Sequence, residues 1–402
     1  MRIAILTQYY PPEVGAAQTR LSELAKRFAE RGHQVYVLAA MPSYPQGKVY
    51  PGYGGFFRRE KQSGVTILRT YIYPIKSVKM IRRFANYLSF ILSSLAIGAK
   101  ILPKLDYLIT QSPPLYLGIS GFFLSRLKGA RWIFNVSDLW PESLVRLGML
   151  RKGWSLRISW WLESFCYQNA WLVAGQSRET LGSIGHRFPN VHAYHLSNGV
   201  NTDLFRPERR SPKMFRKLTH GKSCVAIYAG LHGVAQGLEQ VLEAAAQLQD
   251  LDGFCIVFVG DGPEKKRLAE QMQKLKLKNV LFLDPYPHDA IPNLLASADI
   301  GLVPLKYQLP GAVPSKIYEA MGVGLPVVLV ADGEAADVVL QAQAGVVVSP
   351  GDVDNLARAL RSLVQDKQKR RQLGAYGRKA AVNCYNRQTI NDGFIKFLET
   401  HL

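Results

Sequence analysis

Lys316 and Glu319 stand three residues apart in Gly311-Ala312-Val313-Pro314-Ser315-Lys316-Ile317-Tyr318-Glu319-Ala320-Met321-Gly322. Pro314 and Ser315 make a helix start and Gly322 to Pro326 a stop, so both side chains fall on one face of a short helix, about one turn apart. A lysine in the first turn meets the positive end of the helix dipole and is disfavoured there unless an anion is near. The amides of Gly311, Ala312 and Val313 could complete an anion cradle, since helix N-termini in general offer donors to a phosphate. A carboxylate beside a phosphate site can accept from a ribose diol, so the pair reads as a nucleotide grip. A solvated Lys and Glu on an ordinary surface helix fit the same residues.

The second residue able to do chemistry is Asp138, in Ser137-Asp138-Leu139-Trp140-Pro141-Glu142, directly after the apolar run Arg131 to Val136. Carboxyl ends of strands are where open α/β sheets place their ligand groups. An aspartate capping the next helix is the alternative.

The elements that must position these groups alternate. Arg2 to Thr7 and Gln34 to Ala39 read as buried strands around a helix ending near Arg31, a βαβ opening. It lacks the G-x-G-x-x-G fingerprint of a dinucleotide site. Met41 to Gly64 is loop-like and aromatic, and reads as a flap. Val65 to Tyr71, Tyr107 to Thr110, Arg131 to Val136, Trp171 to Ala174 and Val191 to Tyr194 continue as strands. Asn201 to Gly221 is polar, basic and proline-containing and reads as a linker. Val225 to Tyr228 then restarts the pattern, followed by a glycine-punctuated loop from Gly230 to Gly237. Phe254 to Val259, Val280 to Leu283, Ile300 to Val303, Val327 to Val330 and Val346 to Val348 supply further strands. The expected organisation is an α/β protein with domains at 1–200 and 223–386, a linker at 201–222, and a helix from 387 to 402 packing back on the first domain.

Composition sets the outer limits. A chain of 402 residues with 48% hydrophobic and 20% charged residues fits two soluble domains. Fifty Lys and Arg against thirty Asp and Glu give a net charge of +20, which calls for an acidic partner: phosphorylated substrates, anionic lipid or nucleic acid. No nucleic-acid motif accompanies the charge, so nucleic acid is not expected. Cys166, Cys224, Cys255 and Cys384 have no paired spacing and are expected to be buried, reduced thiols of a cytosolic protein. The N-terminus runs straight into a strand and reads as no signal peptide. Lys79, Arg82 and Arg83 precede an uncharged run from Phe84 to Ala99. That run is short of the roughly 20 residues needed to span a bilayer, and reads as a covering helix or as a basic, aromatic helix that also touches an anionic membrane.

Taken together, Tyr9-Tyr10-Pro11-Pro12-Glu13, Asp138-Leu139-Trp140-Pro141-Glu142, Asn198-Gly199-Val200, Gly230 to Gly237, Val259-Gly260-Asp261-Gly262-Pro263, Asp299 to Pro304 and Pro314 to Ala320 resemble the bacterial family 4 glycosyltransferases. The resemblance implies the GT-B fold, two facing Rossmann-like domains with a cleft between them. It also implies a retaining, metal-independent sugar transfer with no cofactor, the nucleotide sugar being a substrate. Met41 to Lys48 and Gly230 to Gly237 are similar to the subgroup that adds N-acetylated deoxyamino sugars, including N-acetylfucosamine, in O-antigen and capsule assembly. That subgroup implies a UDP-sugar donor, a polyprenyl-diphosphate-linked acceptor, and a cytoplasmic protein held peripherally at the inner face of the membrane.

Carried over by position, Glu319 binds the donor ribose, and Lys316 with the amides from Gly311 to Val313 holds the diphosphate and sugar. Tyr286 meets the edge of the base, and Gly230 and Gly233 belong to the phosphate loop. Gly15 permits close approach in the first domain, and Asp138 and Trp140 face the reacting sugar or acceptor. Three positions depart from the family. Gly311 stands where many members have a carboxylate eight residues before Glu319, and Leu231 and Gln236 stand where many have Arg and Lys. The charge must then come from Lys316, with Lys306 or His232 as helpers. A nucleotide-sugar 2-epimerase and a non-catalytic nucleotide-binding subunit of the same fold are the alternative readings.

Overall fold

The computed structural model describes residues 1–44, 46–75, 80–146, 153–307 and 310–402. Pro45 of the expected flap and Lys79 ahead of the apolar helix lie outside the described residues. The chain divides into two units, Met1–Ser197 with Ile390–Leu402, and Asn198–Thr389.

The first unit is built on the strands β1 (Arg2–Thr7), β2 (Gln34–Ala40), β3 (Phe57–Gln62), β4 (Val65–Thr70), β5 (Tyr107–Ser112), β6 (Arg131–Val136), β7 (Leu172–Gly175) and β8 (Ala193–His195). Their order is β3-β4-β2-β1-β5-β6-β7-β8. All pairs are parallel except β3 with β4, an antiparallel edge. The helices are α1 (Ala16–Glu30), α2 (Met80–Ile101), α3 (Leu117–Lys128), α4 (Glu142–Arg146), α5 (Trp154–Asn169) and α6 (Arg178–Arg187). Alternate residues feed two apolar layers: Ile3 and Ile5 of β1 join one, Ala4 and Leu6 the other. Such two-faced burial requires near-continuous apolar strands, which is the signature of a parallel sheet covered on both sides.

The second unit has β9 (Cys224–Ala229), β10 (Phe254–Val259), β11 (Val280–Leu283), β12 (Ile300–Pro304), β13 (Val327–Val330) and β14 (Gly345–Val348). They lie in the order β11-β10-β9-β12-β13-β14, every pair parallel. In chain order this is 3-2-1-4-5-6, the Rossmann arrangement, which reverses direction between β9 and β12. The helices are α7 (Pro212–Thr219), α8 (Leu238–Ala246), α9 (Lys265–Lys274), α10 (Ile291–Ala296), α11 (Ser315–Gly322), α12 (Glu334–Gln341), α13 (Val353–Gln365), α14 (Lys367–Asn383) and α15 (Arg387–Glu399).

Four expectations are corrected. Phe57–Gln62, read as loop, is the strand β3; it is polar because its face is mostly exposed at the sheet edge. The expected linker 201–222 is folded, with α7 in it and Phe205 and Leu218 in the core of the second unit. Cys384 is exposed, unlike Cys166, Cys224 and Cys255. The apolar helix runs from Met80 to Ile101 rather than from 84 to 99, and Arg82–Ile101 is long and apolar enough to cross a membrane by length and composition. It nevertheless covers the first sheet, burying Phe90, Ile91, Ser93 and Ser94.

The last helix, α15, begins in the second unit and returns to the first. Phe394, Ile395 and Leu398 are buried there, and Asp392 takes a two-point hydrogen bond from Arg27, Nε to Oδ1 at 2.8 Å and Nη2 to Oδ2 at 2.6 Å.

Candidate active site

In the second unit, three loops meet at the carboxyl ends of β9, β10 and β12. β9 is followed at once by Gly230, whose φ of 153° no ordinary L-residue favours. Its oxygen occupies the space a side chain would need at Gly260, and the His232 backbone does the same at Gly262. The two glycines after β10 thus let one turn pack backbone to backbone on the other. The His232 amide donates to the Asp261 carbonyl at 2.8 Å, and the Glu264 amide to that of His232 at 3.0 Å.

Lys316, in the first turn of α11, reaches across to this loop. A Cβ built on Gly230 would lie 2.7 Å from its Nζ, and the ammonium stands 5.6 Å from the centre of the Tyr228 ring. Pro314 is extended and no side chain caps the helix, so its first amides are unclaimed by a cap. Gly311 turns the chain into α11 at a φ of 74°, with Ala312 and Val313 half-buried behind it. Among the described residues Lys316 has no carboxylate partner. Glu319 is half-buried one turn on and accepts from the Ser315 hydroxyl at 3.1 Å.

The two expected helpers behave differently. Lys306 follows β12, but its ammonium is held by Glu239 at 2.7 Å. Burial works against the Glu239 carboxylate, but the bond and charge of Lys306, a backbone amide and the Arg267 charge together outweigh it, so that carboxyl falls below its usual range. The His232 ring is fully buried beside Tyr228, Phe258 and Phe282. Burial, with the Lys265 ammonium, pushes its pKa down to about 4. It is therefore neutral at pH 7 and supplies no cation, a correction to its expected role. Gly233 packs against the Gln236 side chain, and Tyr286, half-buried beyond β11, carries Lys217 Nζ 5.0 Å over its ring.

The reversal between β9 and β12 is the place where open α/β sheets bind ligands. Here it holds the Lys316 ammonium, a helix N-terminus and glycine backbone, a combination suited to a phosphate whose negative charge grows as a bond to it breaks.

In the first unit, Asp138 follows β6 in a bend where the residue as a whole is exposed. Among the described residues it caps no helix, since α4 begins four residues on, at Glu142. The surrounding protein desolvates it and raises its carboxyl, and the Arg20 guanidinium works against that. Trp140 packs edge-on to Tyr116 at 5.4 Å. Gly15 begins α1, where a side chain would press on buried Gln18.

Sequence reasoning missed two groups. Glu13 is buried and accepts from the amides of Ser43 and Tyr44, each at 2.8 Å, which ties the root of the expected flap to the turn after β1. Beneath Asp138, Gln111 accepts from Arg20 at 2.9 Å and Asn135 at 2.8 Å, and donates to Ser137 at 2.6 Å. Polar residues closing the buried strands β5 and β6 were the available signal.

Among known proteins, the first unit matches the family described as "Glycosyl transferase 4-like domain" over residues 15–199, and the second "Glycosyl transferases group 1" over residues 210–380. The chain is a family 4 glycosyltransferase. WcaI of Escherichia coli K12, assigned to colanic acid biosynthesis, is 27% identical to the transferase over 350 residues, 83% of this chain and 84% of that protein. WbjE of Pseudomonas aeruginosa, described as a glycosyltransferase, is 28% identical over 268 residues, 63% of this chain and 65% of that protein. Among solved structures, the sucrose-phosphate synthase of Thermosynechococcus elongatus superposes with a TM-score of 0.80 at 19% identity, covering 99% of this chain and 98% of that one. Anabaena HepE in complex with UDP superposes at 0.74 and 20% identity, with full coverage of both chains. The transferase has the GT-B fold, and its two Rossmann-like domains are the two units described above.

Proposed function

We propose that this glycosyltransferase moves a sugar from a UDP-sugar to a lipid-linked oligosaccharide or other glycan acceptor in bacterial surface polysaccharide synthesis, at the cytoplasmic face of the membrane. The observation that carries the reading is the Lys316 ammonium, unpaired by carboxylate and poised over Gly230 at the reversal of the second sheet. UDP bound to HepE and the assignment of WcaI to colanic acid synthesis support the donor and the setting. The motifs Met41 to Lys48 and Gly230 to Gly237 support an N-acetylated deoxyamino hexose as the sugar.

In this reading the amides from Gly311 to Val313 and Lys316 receive the diphosphate, Glu319 the ribose diol and Tyr286 the base edge. The bond from the anomeric carbon to the phosphate oxygen breaks, and a bond to the acceptor oxygen forms on the same face. The acceptor proton passes to the departing phosphate. Lys316 lowers the barrier because its attraction strengthens as charge builds on the leaving group. Asp138 and Trp140 orient the sugar or acceptor, and no metal is required.

The test is release of UDP from a panel of UDP-sugars, with and without polyprenyl-diphosphate-linked acceptors. Acceptor-dependent release from one donor supports the reading. UDP binding with no release from any donor would favour a non-catalytic subunit, and interconversion of the donor sugar an epimerase.

A further inference from the structure

Three helices on one side of the first sheet form a continuous layer. α3 packs on α2 through Ser94 and Ser120, whose hydroxyls are 3.1 Å apart, and through Gly98, which leaves room for Leu124. On its other side α3 packs on α5 through Gly118 against Cys166, and through the Phe122 and Phe165 rings at 4.9 Å. These contacts occupy the flanks and leave the outer faces uncovered.

Those outer faces are apolar. Leu88 and Leu92 stand one turn apart on α2, and Phe123 and Leu127 one turn apart on α3, all exposed. On α5, Trp154 is 77% and Trp161 65% exposed, and Trp161 stacks on Phe165 at 5.6 Å, joining the tryptophan to the α3 contact. Exposed apolar surface of this extent, with two tryptophans, marks an interaction face rather than scattered surface residues.

Charge identifies the partner. Arg82, Lys100, Arg126 and Arg157 are exposed on the same helices. α2 and α3 contain no acidic residue, and Glu163, the one acid of α5, is fully buried and bonded to Arg187 at 2.7 and 2.9 Å. Between Glu60 and Asp138 the sequence has a single acid, Asp106. Two copies of so one-signed a face would repel, whereas an anionic lipid surface offers both phosphates for the bases and acyl chains for the aromatics. Tryptophan favours that boundary because its ring is apolar and its N–H polar.

We propose that the outer faces of α2, α3 and α5 dock the protein on an anionic bilayer, with Phe123, Trp154 and Trp161 entering the headgroup region and Arg82, Lys100, Arg126 and Arg157 facing the phosphates. α2 lies along the surface, since its inner face is committed to the first sheet. The purpose of the surface rests on the lipid-linked acceptor proposed above; its measurement involves no sugar transfer.

The experiment is co-sedimentation of the full chain with vesicles of phosphatidylglycerol and phosphatidylcholine in equal parts, against phosphatidylcholine alone, at low and high salt. Binding is expected on the anionic vesicles, weakening with salt. The triple variant Phe123→Ala, Trp154→Ala, Trp161→Ala is expected to lose binding at least tenfold. Arg126→Glu with Arg157→Glu is expected to lose both binding and salt dependence. All five positions are exposed, so an unchanged Tm and UDP affinity verify that the variants fold. Equal sedimentation of wild type and triple variant, no sedimentation with anionic vesicles, or a dimer dispersed by the same triple variant would each overturn the proposal. Vesicle binding by a protein that binds no UDP would uphold this surface and overturn the transfer reading; UDP release without vesicle binding would do the reverse.

Discussion

The ammonium of Lys316 occupies the space that a side chain at residue 230 would fill: a Cβ on Gly230 would stand 2.7 Å from Nζ. The end of β9 and the start of α11 are thereby coupled at the reversal of the second sheet, and a change in either residue should be felt at the other.

Gly230→Ala therefore tests the coupling without removing the charge. The new methyl must displace the lysine, and it also strains a backbone at φ 153°. UDP affinity is expected to fall about tenfold, or about 1.4 kcal/mol, with a loss of stability of about 1–3 kcal/mol. Calorimetric titration with thermal unfolding separates the two, and an unaltered affinity would show that Lys316 has no fixed station over the loop.

Asp138 lies in the other unit, and its proposed role is toward the sugar or acceptor rather than the nucleotide. Asp138→Asn is expected to lower kcat about tenfold or more while leaving UDP affinity unchanged. Equal kcat in the variant would remove Asp138 from the reaction. Its carboxyl is raised by desolvation, so if its ionised form is the active one, the acid limb of the rate profile should lie above the ordinary aspartate range of about 3.9 and vanish in the variant.

His232 makes the opposite prediction. The ring is fully buried beside Tyr228, Phe258 and Phe282, and its pKa of about 4 keeps it neutral. His232→Phe removes a desolvated polar group from an aromatic pocket and is expected to keep UDP affinity and hold or raise Tm. A large affinity loss with intact folding would restore His232 as a phosphate ligand.

The return of α15 to the first unit should be sensitive to acid. Asp392 is held below its usual carboxyl range first by the hydrogen bond from Arg27. A depressed folded pKa stabilises above the unfolded value and is lost as pH falls through the folded one. Asp392→Asn is expected to lower stability by about 1 kcal/mol at neutral pH, with the gap to wild type closing below about pH 3.9. A gap independent of pH would deny the ion pair its part.

The parallel strands and the α11 start were legible because each leaves a local mark. Val327–Val330 and Phe254–Val259 are buried on both faces and so are apolar throughout, and Pro-Ser before Lys316 announces a helix. Phe57–Gln62 was not legible as a strand, because an edge strand held by β4 on one side needs no apolar pattern of its own. His232 was misread because a histidine beside glycines looks like a ligand until Phe258 and Phe282 close around it, and those lie on other strands. The linker was misread for a similar reason: Arg206 to Arg210 is polar and proline-bearing, yet Phe205 and Leu218 on either side anchor it to the core.

The central claim is that Lys316 holds the diphosphate of a uridine nucleotide, and its most direct test is calorimetric titration of UDP into wild type and Lys316→Ala, with GDP and ADP alongside. UDP is expected to bind selectively, and at least tenfold more weakly to the variant, as befits loss of a charge-assisted contact of about 1.5–3 kcal/mol. UDP binding of equal strength in both proteins would contradict it.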